Sequence, residues 1–512
     1  MLLNEETFLL AESRREGGRR NDHATREAIQ VGPWCPVERG LDMHSEIGPW
    51  SSIADITCAL KEGRQTAQRI AELALERAEK VQGELNCFAQ IDAPGLIDQA
   101  RTIDARRQAG EALGPLVGVP VAIKDCTPVK GLGNRMGSYA YADFVADHDA
   151  EIVARFRQAD AMILGKTTLS EFASSSFCDS PLHGITRNPW NPTRTPGGSS
   201  GGSAVAVATG CVAIGQGTDM GGSVRIPASC TGLVGIKPAA GRLPLDDQPS
   251  FVDDIQHHGL LTRTSADLAL ALPPLCGPTW SDPRTLIPAL PDLGTQEGVR
   301  GLRIALTYDL GFFVIEDEVR SRLDETAAVL EHAGAIVDRV DLGWDRAIAD
   351  GWVRHWHVYL AAFFGAHLDR IGPLADPRLS AVVAKGRAHD AVSLRQTDLL
   401  RKRQWDVLAR LFESYDILVS PTMTRPAVGV EEDDAKYHAL TADGRKRGLD
   451  MTSVFNWVPW CPAMSVPAGL SYDGLPIGIH IAAPPQREDL ALRTARCIET
   501  EWPHNWPDGW SV

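Results

Sequence analysis

Gly197-Gly198-Ser199-Ser200-Gly201-Gly202-Ser203, then an apolar run from Ala204 to Ile214, then Gly217-Thr218-Asp219-Met220-Gly221-Gly222-Ser223: the rest of the chain reads outward from this stretch. Two glycine- and serine-rich turns bracket one segment of small residues. Ala204 to Thr209 predicts a buried helix stopped at Gly210, because glycine readily takes the left-handed conformation that closes helices. Cys211 to Ile214 predicts a short buried strand. A helix and a strand of that length return the second turn beside the first. Ser199 and Ser223 then share one pocket.

Glycine lets backbone approach a ligand closely and adopt positive φ. Successive N–H groups in such a turn form an anion-binding concavity. A serine ending that turn is a candidate nucleophile with its own oxyanion hole. Three other readings fit less well. A flexible Gly/Ser linker is not followed by an apolar helix and strand. A phosphate loop requires G-x-x-x-x-G-K-[ST], and no lysine follows here. A dinucleotide fingerprint requires G-x-G-x-x-G; Gly215 and Gly217 fit, but Met220 occupies the last glycine position.

Composition narrows the function classes. The chain has 512 residues, enough for one large domain or several smaller ones. With 44% hydrophobic and 23% charged residues it is globular rather than disordered. A formal net charge of −15 disfavours nucleic acid and anionic membrane surfaces as partners. No apolar run reaches the ~18–20 residues of a membrane span. The first twenty positions carry Glu5, Glu6 and Glu12 and do not read as a secretory signal. The ten cysteines form no C-x-x-C pair and read as reduced, packed thiols of a cytoplasmic protein. The fourteen histidines show no metal-ligand spacing. His257-His258 and the pair His355, His357 read as loop or surface residues.

Taken in order, residues 1–50 read as an N-terminal extension, partly disordered or packed as an arm, with Met43 an alternative start. Gln65 to Lys80 carries a helical apolar stripe, and Pro94 to Ala109 predicts a second helix stopped by Gly110. Leu116 to Ile123 reads as a buried strand with Lys124 at its end. Taken alone, that lysine is a side chain snorkelling to the surface. Asp149–Asp160 then predicts a helix and Ala161–Leu164 a strand, an alternation that points to an α/β core. Further strands are expected at Leu302–Leu306, Ala335–Val337, Asp416–Ser420, Ala463–Pro467 and Pro476–Ala483. Helices are expected at Val319–Gly334, Val392–Tyr415 and Arg487–Glu501. The 340–412 segment is rich in aromatics, including Trp352, Trp356 and Tyr359. It reads as core, with a share in an apolar substrate pocket alongside residues 170–180. There is no internal repeat, so residues 51–512 are expected to form one domain.

These motifs in this order resemble the amidase signature family of serine hydrolases. The likeness rests on Gly118 to Asp125, Gly197 to Ser203, Gly217 to Pro227, Ser420-Pro421-Thr422 and Gly474 to Gly478, and spans roughly Ser52 to Glu501. It implies a single large α/β domain whose mixed central sheet is covered by helices on both faces. It also implies a Ser-cisSer-Lys triad. Ser223 would be the nucleophile, Ser199 the serine at a cis peptide bond, and Lys124 the base. The N–H groups of Met220, Gly221, Gly222 and Ser223 would form the oxyanion hole. Ser200 and Thr218 would add supporting hydrogen bonds, and Asp219 with Arg225 would stiffen the loop.

The chemistry requires these residue types. A serine hydroxyl is a weak nucleophile without a base in reach. Lysine, protonated near ~10.4 in water, becomes a base when desolvation disfavours its charge. The expected activity is hydrolysis of the C–N bond of small apolar or aromatic amides and anilides through an acyl-enzyme on Ser223. No cofactor or metal is expected, and the protein would be a monomer or homodimer. Carbamates, urea derivatives and esters present the same carbonyl and form the alternative substrate class. The A-type subunit of an amidotransferase ranks below these, because the tail regions carry no clear sign of it. A binding protein without catalysis is disfavoured by the intact triad. Three positions depart from the family pattern: Met220 where a smaller or β-branched residue is frequent, Cys126 where asparagine is common, and His480 where glutamine is frequent.

Overall fold

β-Branched and apolar residues dominate the short segments that build the central sheet, and almost all are buried. The computed structural model describes residues 47–294, 298–432, 434–502 and 507. The extension expected over residues 1–50 therefore lies outside the described residues, apart from Ile47 to Trp50. Thirteen strands are present among the described residues. They are β1 (Phe88–Ile91), β2 (Pro120–Lys124), β3 (Met162–Thr167), β4 (Asp179–Ser180), β5 (Gly184–Ile185), β6 (Ile214–Asp219) and β7 (Val234–Lys237). The remainder are β8 (His257–Thr262), β9 (Arg303–Leu306), β10 (Ile336–Arg339), β11 (Ile417–Pro421), β12 (Ala463–Leu470) and β13 (Pro476–Ala482). Eleven of them form one sheet in the order β1-β3-β2-β6-β8-β7-β12-β13-β11-β9-β10, and β4 with β5 make a small separate hairpin.

The sheet is mixed. β2 runs parallel to β3 and to β6, whereas β6 pairs antiparallel with β8 in the register Thr218–His258 and Asp219–His257. Side chains alternate across a strand, and that alternation separates two cores. Ile304, Leu306, Val419 and Met464 join the larger core on one face. Ala305, Leu418 and Ala463 face the other, where Trp344, Ile348, Phe455 and Trp457 cover them. Cores on both faces are why most strands of this mixed sheet are apolar throughout.

Most predicted elements are present within a few residues, among them the helices Ala67–Leu85, Ala93–Gln108, Asp317–His332, Ala391–Phe412 and Glu488–Glu501. Three readings change. The strand expected at Cys211–Ile214 begins only at Ile214 and continues through Asp219. Cys211 and Val212 instead donate back to the Ala206 carbonyl at 2.9 and 3.3 Å, closing the helix Gly201–Ala208. Pairing with β8 then draws Gly217-Thr218-Asp219 into the sheet despite their weak strand preference. His257 and His258, expected on a loop or surface, lie on the buried strand β8. The aromatic segment contains a 25-residue helix, Ala347–Ile371, that its polar and apolar residues do not announce by periodicity. No helix among the described residues is long and apolar enough to cross a membrane.

Candidate active site

Lys124 ends β2, a strand buried at every position, and its own side chain is fully buried, not snorkelling. The neighbouring parallel strand β6 ends beside it, so the ends of two adjacent strands converge on one spot. Lys124 Nζ stands 2.8 Å from Ser199 Oγ and 2.9 Å from Thr218 Oγ1. Its backbone N–H donates to Gln216 Oε1 at 3.0 Å. Burial pushes the Lys124 ammonium below the ordinary lysine range, with nearby Cys126, Cys178 and Asp219 offsetting part of the effect.

The two glycine-serine turns meet as the sequence predicts. The Gly198–Ser199 peptide bond is cis. The N–H of Ser200 donates to the Ser223 carbonyl at 3.1 Å, which fixes one turn against the other. Ser200 Oγ donates to the Thr218 carbonyl at 3.3 Å. Ser199 is fully buried, whereas Ser223 is half-buried at the mouth of the second turn.

That turn is shaped by Asp219. Its carboxylate accepts the Gly222 N–H at 2.9 Å and the Val224 N–H at 3.2 Å. The Gly222 N–H is thus already engaged. Among the described residues no acceptor takes the N–H groups of Met220, Gly221 or Ser223. Gly222 has φ +123°, and a Cβ there would collide with the Thr452 hydroxyl, which itself donates to the Gly221 carbonyl at 2.6 Å. A Cβ on Gly221 would come within 2.6 Å of the Trp352 ring, so that indole is laid directly on the turn.

Asp219 and Arg225 form a fully buried bidentate pair, with contacts of 3.0 and 2.8 Å. Burial alone would raise the Asp219 carboxyl, but Arg225, Asn456 and Lys237 hold it well below the usual carboxylate range. Arg225 also donates to Asn456 Oδ1 at 2.7 Å and to the Thr452 carbonyl at 3.1 Å. Its last partner is His480 Nε2 at 2.9 Å. A guanidinium only donates, so Nε2 accepts and the ring proton sits on Nδ1. Burial, then the Arg225 charge, pushes His480 well below the ordinary histidine range and keeps it neutral.

Aromatic side chains from the helix Ala347–Ile371 extend from the turn. Trp352 stacks on Trp356 with centroids 5.7 Å apart, and Phe364 stacks on Phe172 at 4.6 Å. The 170s and the aromatic segment, separate in sequence, thereby make one wall. Cys126 completes the other side, its Sγ 3.8 Å from Thr218 Oγ1. Sequence reasoning did not name Trp352, Thr452, Asn456 or Gln216 as individual site residues. Only the aromatic richness of 340–412 hinted at the first of them.

The family model for amidases matches residues 69–492. The chain belongs to the amidase signature family. Among curated proteins it is 32% identical over 464 residues to an acylamidase of Rhodococcus erythropolis, covering 90% of this chain and 96% of that one. It is 30% identical over 488 residues to the A-type subunit of the glutamyl-tRNA(Gln) amidotransferase from Streptomyces coelicolor, covering 88% and 96%. Among solved structures, a bacterial aryl acylamidase of the amidase signature family superposes with a TM-score of 0.83 at 29% identity, covering 89% of this chain and 97% of that one. A 6-aminohexanoate cyclic dimer hydrolase superposes at 0.78 with 27% identity, covering 90% and 99%.

Proposed function

We propose that this amidase signature protein hydrolyses small apolar or aromatic amides and anilides through an acyl-enzyme on Ser223. The observation that carries the reading is the fully buried Lys124 amine 2.8 Å from Ser199 Oγ, on the turn bonded to that of Ser223. Desolvated and neutral, Lys124 accepts the Ser199 proton while Ser199 accepts that of Ser223, and Ser223 Oγ attacks the carbonyl carbon. The oxyanion is received by the N–H groups of Met220, Gly221 and Ser223; a single such donor is worth about 3–4 kcal/mol. The same relay returns a proton to the leaving amine, and water then cleaves the ester. Thr218 and Ser200 hold Lys124 and the turn in register, and Asp219 with Arg225 fixes the loop. The protein is read as cytoplasmic, a monomer or homodimer with residues 51–512 as the catalytic domain, acting without metal or cofactor.

The aromatic wall of Trp352, Trp356 and Phe172 supports an apolar or aryl substrate, and so does the likeness to an aryl acylamidase. Carbamates, urea derivatives and esters fit the same nucleophile. The likeness to A-type amidotransferase subunits supports a second reading, in which the chain works only with partner proteins. Purified protein assayed on aryl amides without partner or ATP separates the two. Turnover that is lost in Ser223→Ala, together with phosphonate labelling of Ser223 in the native protein, is the expected result. Near-native turnover in Ser223→Ala would refute the assignment.

A further inference from the structure

Behind Lys124 runs a buried polar chain that the triad does not use. Gln216 Oε1 accepts the Lys124 N–H at 3.0 Å, which fixes the amide so that Nε2 faces His258 Nδ1, also at 3.0 Å. That amide group has two hydrogens and faces three acceptors: His258 Nδ1, the Gly217 carbonyl at 3.0 Å and Thr127 Oγ1 at 3.2 Å. On the far side of the ring, His258 Nε2 lies 3.4 Å from Asp247 Oδ1, within ion-pair distance though without a hydrogen bond. The Asp247 side chain is only 5% exposed, yet its Oδ1 has no hydrogen-bond partner. Beside it, both polar atoms of the Gln248 side chain are buried and unpartnered as well.

A buried carboxylate is stable only when paired or neutralised. Among the described residues no lysine or arginine forms an ion pair with Asp247. The ionisable side chain within 4 Å of it is the His258 ring, while Arg401 pairs with Asp254 at 2.6 Å and Lys166 donates to the Thr127 and Gly133 carbonyls at 2.6 and 3.2 Å. The position of Asp247 matters as much as the lack of a hydrogen-bond partner at its Oδ1. His258 is the cross-strand partner of Thr218, whose hydroxyl lies 2.9 Å from Lys124 Nζ and 3.8 Å from Cys126 Sγ. Asp247, 3.4 Å from that imidazole, therefore stands near the ends of β2 and β6.

We propose that Asp247, with Gln248 beside it, receives a protonated amine at the end of the substrate remote from the bond that is cleaved. The inference rests on the amidase reading and narrows it. The preferred substrates are amides with an apolar or aryl middle and a cationic end. The carboxylate supplies the counter-charge, and Gln248 Oε1 accepts a second ammonium hydrogen.

The test compares matched substrates at a pH where alkylamines are protonated. One arm places the ammonium on the acyl side, as para-nitroanilides of ω-aminopentanoic and pentanoic acid. The other places it on the leaving side, as N-(ω-aminobutyl)benzamide and N-butylbenzamide. In one arm the native enzyme is expected to favour the ammonium compound at least about tenfold in kcat/KM, the scale of a charge-assisted hydrogen bond. Asp247→Asn brings that ratio near one, whatever its absolute rate, whereas Asp246→Asn retains it. Asp246 lies outside the chain of polar contacts and accepts the Glu151 N–H. Butylammonium inhibits the native enzyme competitively and butanol does not, a readout that needs no variant. Turnover of the neutral amides with no preference in either arm overturns the inference and leaves the amidase reading standing. A native-like ratio in Asp247→Asn, or equal inhibition by amine and alcohol, also overturns it. Absence of any amide turnover together with failure to label Ser223 brings down both.

Discussion

At the scale of single residues the decisive quantity is the charge of Lys124. A protonated amine 2.8 Å from Ser199 is a hydrogen-bond donor and no base. Burial lowers its proton affinity, so the neutral form is populated at a lower pH than in water. kcat/KM on a neutral anilide is therefore expected to rise with pH to a plateau. The midpoint should lie below 10.5, the ordinary value. Lys124→Ala and Ser199→Ala are each expected to lower kcat/KM by about a thousandfold or more while the far-ultraviolet circular dichroism stays native. A pH profile that is flat or falls over the same range would contradict the role of Lys124. Lys124, Ser199 and Ser223 were proposed from motif and order, through the family resemblance. The burial of the lysine was not: the strand that ends in it is equally compatible with an exposed amine, and only the docking of β6 and the turns closes it off.

At the scale of elements the turn from Asp219 to Ser223 is held from behind by a charge pair. Removing one member leaves the other's charge buried without its counter-charge, which costs about 3–5 kcal/mol in such settings. Asp219→Ala is expected to lose stability on that scale in urea unfolding. The double variant Asp219→Ala, Arg225→Met should recover part of the loss. A double variant as unstable as the two single losses added would show that the pair is not coupled. Element recognition succeeded where a period was long and clear, as in Ala67–Leu85, and failed in two ways. β6 runs on through Gly217, Thr218 and Asp219, which read as a turn until the neighbouring strand β8 pairs with them. The helix Ala347–Ile371 carries apolar side chains on most of its circumference, since it packs on the turn, on Phe172 and on the helix Ala391–Phe412 together, so no single stripe marks it.

At the scale of the whole molecule, large buried ionisable groups set how stability follows pH. Lys237 is pushed down to about 7 and Lys166 to about 8 by burial. The unfolded chain holds those protons up to about 10.5, so folding gains stability as pH rises above 7. The thiols act in the opposite sense. Burial pushes Cys211, Cys230, Cys276 and Cys461 up to about 12 from 9.0, so the unfolded chain ionises first and stability is lost above 9. Each group changes stability by about 1.4 kcal/mol per pH unit inside its window. Two lysines then dominate between pH 7 and 9, and four thiols prevail above. Tm measured by scanning calorimetry is expected to rise from pH 7 to a maximum near 9 and then fall. A monotonic fall across that interval would show that the lysines stay charged in the folded state.

The sequence alone determined the class of fold and the family, because those rest on local motifs and their order, and through the family resemblance it proposed Lys124, Ser199 and Ser223 as the reacting side chains. Only the tertiary structure decided that Lys124 is sealed from water and that the Gly222 N–H is already held by Asp219. It alone brought Trp352, Thr452, Asn456 and His480 to the back and roof of the turn and buried the Asp247 side chain against His258. The side chains at the back and roof of the turn stand more than a hundred positions from it. Burial and pairing at such separations are fixed by how the strands stack in the sheet, and no local pattern in the chain encodes them.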